Sequence, residues 1–146
     1  MNTPSTVPVD ESVVCLAFDG VPIERAIVLA GPLAPFVYAA KIHDLYDDKG
    51  PEAVRLLKKA GFKRVWVDFK LDDTPKTVGL RAGKLARNGA DIITVHASGG
   101  IEMMKAAIAA VRTDHSEYGY ALAEIWAITL LTSLGPTEIE RDFGKY

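Results

Sequence analysis

The sequence has a single cysteine, Cys15, and only three histidines, His43, His96 and His115. One thiol excludes an intramolecular disulfide, and its place within the apolar run Val13 to Phe18 reads as a buried structural group. The histidines lack metal-ligand spacing, so no metal site is expected. Excess charge of one sign is missing too: 17 basic residues stand against 19 acidic ones, a net of -2. With no basic stripe there is no electrostatic case for nucleic acid, and the expected partner is a small molecule. Long apolar runs are absent, the longest lying near Ile125 to Leu131, so no membrane span is expected. The polar stretch 1–12 has neither a basic start nor an apolar run behind it. It reads as a flexible N-terminus of a cytoplasmic protein.

What is present is ordinary globular material, 49% hydrophobic and 25% charged over 146 residues, sufficient for one core. Apolar or β-branched runs at Val13 to Phe18, Val37 to Ile42, Val65 to Val67, Ile92 to Val95 and Ile125 to Leu131 predict five strands. Between them, Ile23, Ala26, Ile27 and Ala30 recur at helical spacing. So do Ala53, Val54 and Leu57, then Val78, Ala82, Leu85 and Ala86, then Ile101, Met104, Ile108 and Val111. Pro22, Pro51 and Pro75 stand at helix starts, where a missing N–H costs little, and Gly61 and Gly89 follow helix ends. Strand and helix thus alternate, which predicts a parallel α/β sheet.

A barrel and an open sheet share that alternation, and the strand ends separate them. Each apolar run finishes in polar residues: Asp19, Lys41, Asp68 with Lys70, His96, and Thr132 with Ser133. A (β/α)8 barrel builds its site from many strand ends around one mouth, whereas an open sheet concentrates it at a switch point. The expectation is a TIM barrel, of which residues 1–146 supply about the first five βα units as one partial domain. Pro136 onward reads as the start of the fifth helix, leaving three units of an eight-unit barrel to be supplied.

In VDFKLDD, Asp68 and Lys70 are two apart on an extended segment and project from one face. Asp73 follows in the loop before Pro75. With Lys41 on the adjacent strand, an alternating array Lys41, Asp68, Lys70, Asp73 can form, each charge flanked by its opposite. Four charges at neighbouring strand ends carry a desolvation cost that active sites accept and structural rims seldom do.

Residues 68–78, DFKLDDTPKTV, resemble the D-x-K-x-x-D-I-P-N-T-V signature of orotidine 5'-phosphate decarboxylases. LAFDG with Asp19, YAAKI with Lys41, VHASGG from Val95 to Gly100 and ITLLTS from Ile128 to Ser133 follow in the family's order. The resemblance implies that Lys70 protonates the carbanion left at C6 of the pyrimidine, with Asp68 and Asp73 in the charged array around it. It implies that Lys41 hydrogen-bonds a carboxylate and the ribose, that Asp19 binds ribose, and that Thr132 and Ser133 contact the substrate near the base. Thr74, Pro75 and Thr77 are placed beside the substrate, and Asp73 and Thr77 in the site of the partner subunit of a homodimer. The implied activity gives UMP in pyrimidine biosynthesis and needs neither metal nor cofactor.

Thr74 replaces the usual isoleucine and Lys76 the usual asparagine. A hydroxyl then stands where an apolar pocket for the leaving CO2 is expected. His96 reads as ordering the barrel mouth, Gly99 and Gly100 as a turn outside the site, and Met103 and Met104 as helix packing. Two alternatives stay open. One is a sugar-phosphate decarboxylase or aldolase on the same barrel, since the 3-keto-gulonate-phosphate decarboxylase group shares D-x-K-x-x-D. The other is a catalytically silent half-barrel fragment.

Overall fold

The computed structural model describes residues 13–144. The N-terminal stretch read as flexible lies outside them. Five strands, β1 (Cys15–Ala17), β2 (Ala39–Ile42), β3 (Val65–Leu71), β4 (Ile92–His96) and β5 (Glu124–Ile128), pair in chain order, every pair parallel. Helices α1 (Ile23–Leu33), α2 (Asp44–Lys49), α3 (Pro51–Lys59), α4 (Pro75–Arg87), α5 (Ile101–Tyr118) and α6 (Pro136–Phe143) fill the connections and follow the last strand. Consecutive neighbours joined by helical crossovers form the wall of a (β/α)8 barrel over five of its units.

Alternation along each strand makes two faces. Ala40, Ile42, Val65, Val67, Ile93 and Val95 point outward and are buried beneath Ala26, Ala30, Val54, Leu57, Val78, Ala82, Ala107 and Val111 of the helices. Each of these helices turns a stripe at three- and four-residue spacing to the sheet. In α5, however, the buried stripe is Met103, Ala107 and Val111, while the expected Ile101 and Ile108 are exposed, as is Ile27 of α1. Packing rotates α5 so that these side chains, not the isoleucines, meet the sheet. Lys41, Trp66, Asp68, Thr94 and Trp126 occupy the other, concave face. Its floor is aromatic: Trp66 lies 5.0 Å from Trp126, Tyr38 stacks on Trp126, and Arg64 sits over Tyr38.

The proline and glycine punctuation holds. Pro22 caps α1, Pro51 and Pro75 open α3 and α4, and Gly61 and Gly89 have positive φ just past helix ends. Further details differ from expectation, beginning with β1 and β2, which are shorter than the apolar runs that predict them. β3 runs on through Asp68 and Lys70 to Leu71; charges on the concave face interrupt the apolar run without ending the strand. β5 stops at Ile128, so the apolar stretch to Leu131 is strand followed by loop. The short α2 buries only Leu45, too little for a detectable period. Cys15 is half-buried on the concave side of edge strand β1, not sealed in the core; burial still pushes its thiol pKa up.

Candidate active site

The C-terminal ends of β1 to β4 bring four charges and one hydroxyl together. Asp68 is the centre, 4% exposed on β3. Its Oδ2 accepts hydrogen bonds from Lys70 Nζ at 2.8 Å and lies 3.3 Å from Lys41 Nζ. Its Oδ1 accepts from the Thr94 hydroxyl at 2.8 Å. Lys41, at the end of β2, donates to Asp19 Oδ2 at 2.7 Å, and the loop holding Asp19 is pinned by Gly20 N–H donating to Asp44 Oδ2 at 2.9 Å.

The cluster therefore reads Lys70, Asp68, Lys41, Asp19, in alternating sign. Burial alone pushes the Asp68 carboxyl pKa upward. The hydrogen bonds from Lys70 and Thr94 and the charges of Lys70 and Lys41 overcome this and hold it below the ordinary carboxylate range. Burial likewise pushes Lys41 down, but its bond to Asp19 and the charges of Asp19 and Asp68 leave it above the usual ammonium value. Both groups are fixed in their charged forms.

Asp73, expected as the fourth member, is not part of this cluster within one chain. Its Oδ1 accepts from Thr74 N–H at 2.6 Å at the start of α4. That amide, outweighing what little burial does, holds its carboxyl below the usual range, with help from the Thr77 and Thr74 hydroxyls and the Arg81 charge. Thr74 and Thr77 share a hydroxyl contact of 3.0 Å, and Pro75 occupies the first turn of the helix. Asp73 and Thr74, both exposed, and the half-buried Thr77 thus form a group on the rim. Thr132 and Ser133 lie in an exposed turn past the end of β5 and are not brought into the cluster. His96 ends β4 opposite Ile128 of β5.

Two contributors escaped the sequence reading. Asp44 follows β2 in a helix too short to register. Thr94 carries a usable signal: in IITVH it alternates with Ile92 and His96 onto the concave face, yet a threonine within a strand is usually packing.

Five parallel βα units with their charged residues gathered at the C-terminal strand ends define the TIM-barrel class, whose chemistry is built at that mouth. Within that class, the family model described as "Orotidine 5'-phosphate decarboxylase / HUMPS family" matches residues 12–145, and the chain belongs to that family. An orotidine 5'-phosphate decarboxylase of Moorella thermoacetica is 38% identical over 117 residues, which cover 80% of this chain and 46% of that protein. One from a Synechococcus strain is 33% identical over 140 residues, 96% of this chain and 56% of the relative. The crystal structure of orotidine 5'-phosphate decarboxylase from Lactobacillus acidophilus aligns with a TM-score of 0.72 at 28% identity, covering 91% of this chain and 59% of the other. This chain spans about half the length of the curated relatives it matches.

Proposed function

We propose that this chain carries the charged half of an enzyme that decarboxylates orotidine 5'-phosphate to UMP in the cytoplasm, without metal or cofactor. The observation that carries the reading is the buried carboxylate of Asp68 gripping two ammoniums at the barrel mouth. Loss of CO2 from C6 of the pyrimidine leaves an electron pair on that carbon. A fixed ammonium beside it stabilises the developing charge and then supplies the proton, the role assigned to Lys70. Asp68 holds Lys70 in place, and its own negative charge disfavours the substrate carboxylate more than the transition state that is losing it. Lys41 and Asp19 lie one and two strands away from β3, suited to the ribose hydroxyls. Thr132 and Ser133, in the turn after β5, are assigned to the base.

Asp73 and Thr77 are assigned to the site of the partner in a homodimer, because they stand on the rim apart from their own chain's lysines, Asp73 exposed and Thr77 half-buried. Thr74 is assigned beside the departing CO2. The test is steady-state decarboxylation by this chain joined to the C-terminal three βα units of a longer relative. Turnover is expected, and it is expected to vanish in Lys70→Ala with the fold retained. A Lys70→Ala rate above about a tenth of the parent's, beyond the modest loss of an auxiliary group, refutes the assignment.

A further inference from the structure

Pairing between β3 and β4 joins Val67 to Ile93 and next joins Leu71 to Val95. Three residues of β3, Asp68, Phe69 and Lys70, thus face a single residue of β4, Thr94. The excursion adds two residues, an even number, so Val67 and Leu71 both remain on the helix-covered face. Lys70 takes up the bend with φ of +47°, the only positive φ at a non-glycine among the described residues. That conformation is unfavourable for an L-residue and persists only where its surroundings over-determine it.

Those surroundings are visible on both sides. Outward, the Phe69 ring stands edge-on to His43 and Tyr46 with Arg81 over it, which fixes the apex of the bend. Inward, the ladder bond that β4 would offer is replaced by a side chain. Lys70 N–H donates to Thr94 Oγ1 at 3.0 Å, and that hydroxyl donates to Asp68 Oδ1 at 2.8 Å. The direction is forced, because an amide only donates and an ionised carboxylate only accepts. Thr94 is fully buried, so no water replaces either bond.

We propose that Thr94 is a positioning residue that uses one hydroxyl to set both the backbone of Lys70 and the carboxylate of Asp68, the two groups whose separation governs proton delivery. The catalytic part of this inference rests on the function proposed above. Its geometric part does not. A threonine at this one position serves because it is β-branched, as a central strand favours, and carries a donor and an acceptor on the same atom.

The test compares Thr94→Val, which keeps the shape and loses the hydroxyl, with Thr94→Ser, which keeps the hydroxyl. In the 146-residue chain, carbon NMR follows the Asp68 carboxyl titration and amide exchange follows Lys70 N–H. Among the groups facing Asp68, Lys70, Lys41 and, through Lys41, Asp19 are unchanged by either variant. In Thr94→Val the Asp68 midpoint should rise by about one pH unit on loss of a hydrogen bond to a charged group, and Lys70 exchange should quicken at least about tenfold. Thr94→Ser should restore both. In the joined protein, kcat should fall at least about tenfold in Thr94→Val with KM within roughly twofold, and recover in Thr94→Ser. An unchanged Asp68 midpoint and Lys70 exchange in Thr94→Val, or no recovery in a folded Thr94→Ser, overturns the inference. If the parent joined protein is inactive, the proposed function fails, and the two NMR readouts still decide whether Thr94 sets the geometry.

Discussion

Replacing Asp68 by asparagine keeps the side-chain shape and removes the charge on which two ammoniums converge. Lys70 and Lys41 both contact the same oxygen, at 2.8 and 3.3 Å. With an amide there the lysines repel each other, and only Lys41 retains an anionic partner, Asp19. Removing one member of a wholly buried pair costs about 3–5 kcal/mol. The Asp68 side chain is 6% exposed, but that of Lys70 is 30% exposed and regains water on release. The expected loss is therefore about 2–3 kcal/mol near neutral pH. At about 1–3 kcal/mol per molar urea, the unfolding midpoint should drop by roughly 0.7–3 M.

Acid supplies the check on the cause. The folded-state pKa of Asp68 is depressed, despite burial, by Lys70, Thr94 and Lys41. Such a group contributes stability above its unfolded-state pKa, and the contribution is lost as pH falls through the folded-state value. The gap between the parent and Asp68→Asn should be full from about pH 7 down to about pH 5 and should close below about pH 4. Urea titrations of both chains, followed by circular dichroism across that range, measure it. A gap that stays constant into strong acid, or a variant more stable than the parent near neutrality, refutes the reasoning.

Mixing joined subunits carrying Asp73→Asn with others carrying Lys70→Ala should restore part of the activity, since one site of a mixed dimer carries both defects and the other carries neither; continued inactivity of a verified mixed dimer places Asp73 in its own chain's site. The 146-residue chain by itself should turn over orotidine 5'-phosphate poorly and gain activity with the C-terminal complement, because TIM-barrel phosphate sites usually lie after strands seven and eight and remote binding energy lowers the barrier; full activity from the chain alone would contradict this. Gly83→Ala should lower stability by about 1 kcal/mol despite better helix propensity, because a Cβ there would lie 2.8 Å from Asp114 Oδ2 and 3.2 Å from Arg87 Nη1, the two atoms of a 2.7 Å ion pair. A thermal or urea cycle with Asp114→Asn measures it, and an equal cost with the pair removed shows that the ion pair is not the cause.

The alternation of strands and helices, their parallel order and the family were legible in the sequence, because these depend on short-range periods, on proline and glycine at helix ends, and on a contiguous motif from Asp68 to Val78. The sequence placed Lys41, Asp68 and Lys70 at strand ends, since polarity at the close of an apolar run is a local signal. It misjudged where β3 and β5 end, because a strand's length follows from its partners' hydrogen bonds as much as from its own apolar residues. Packing of the strands side by side was needed to show that Asp19, 22 residues from Lys41, completes the cluster while Asp73 turns to the first turn of α4. Only the tertiary structure brought Thr94 to Asp68 across 26 residues. An unbroken strand would also put Asp68 and Lys70 on one face, so alternation gave no hint of the bend between Val67 and Leu71. That bend is a mismatch between two strands, and a mismatch exists only once both strands have been laid side by side.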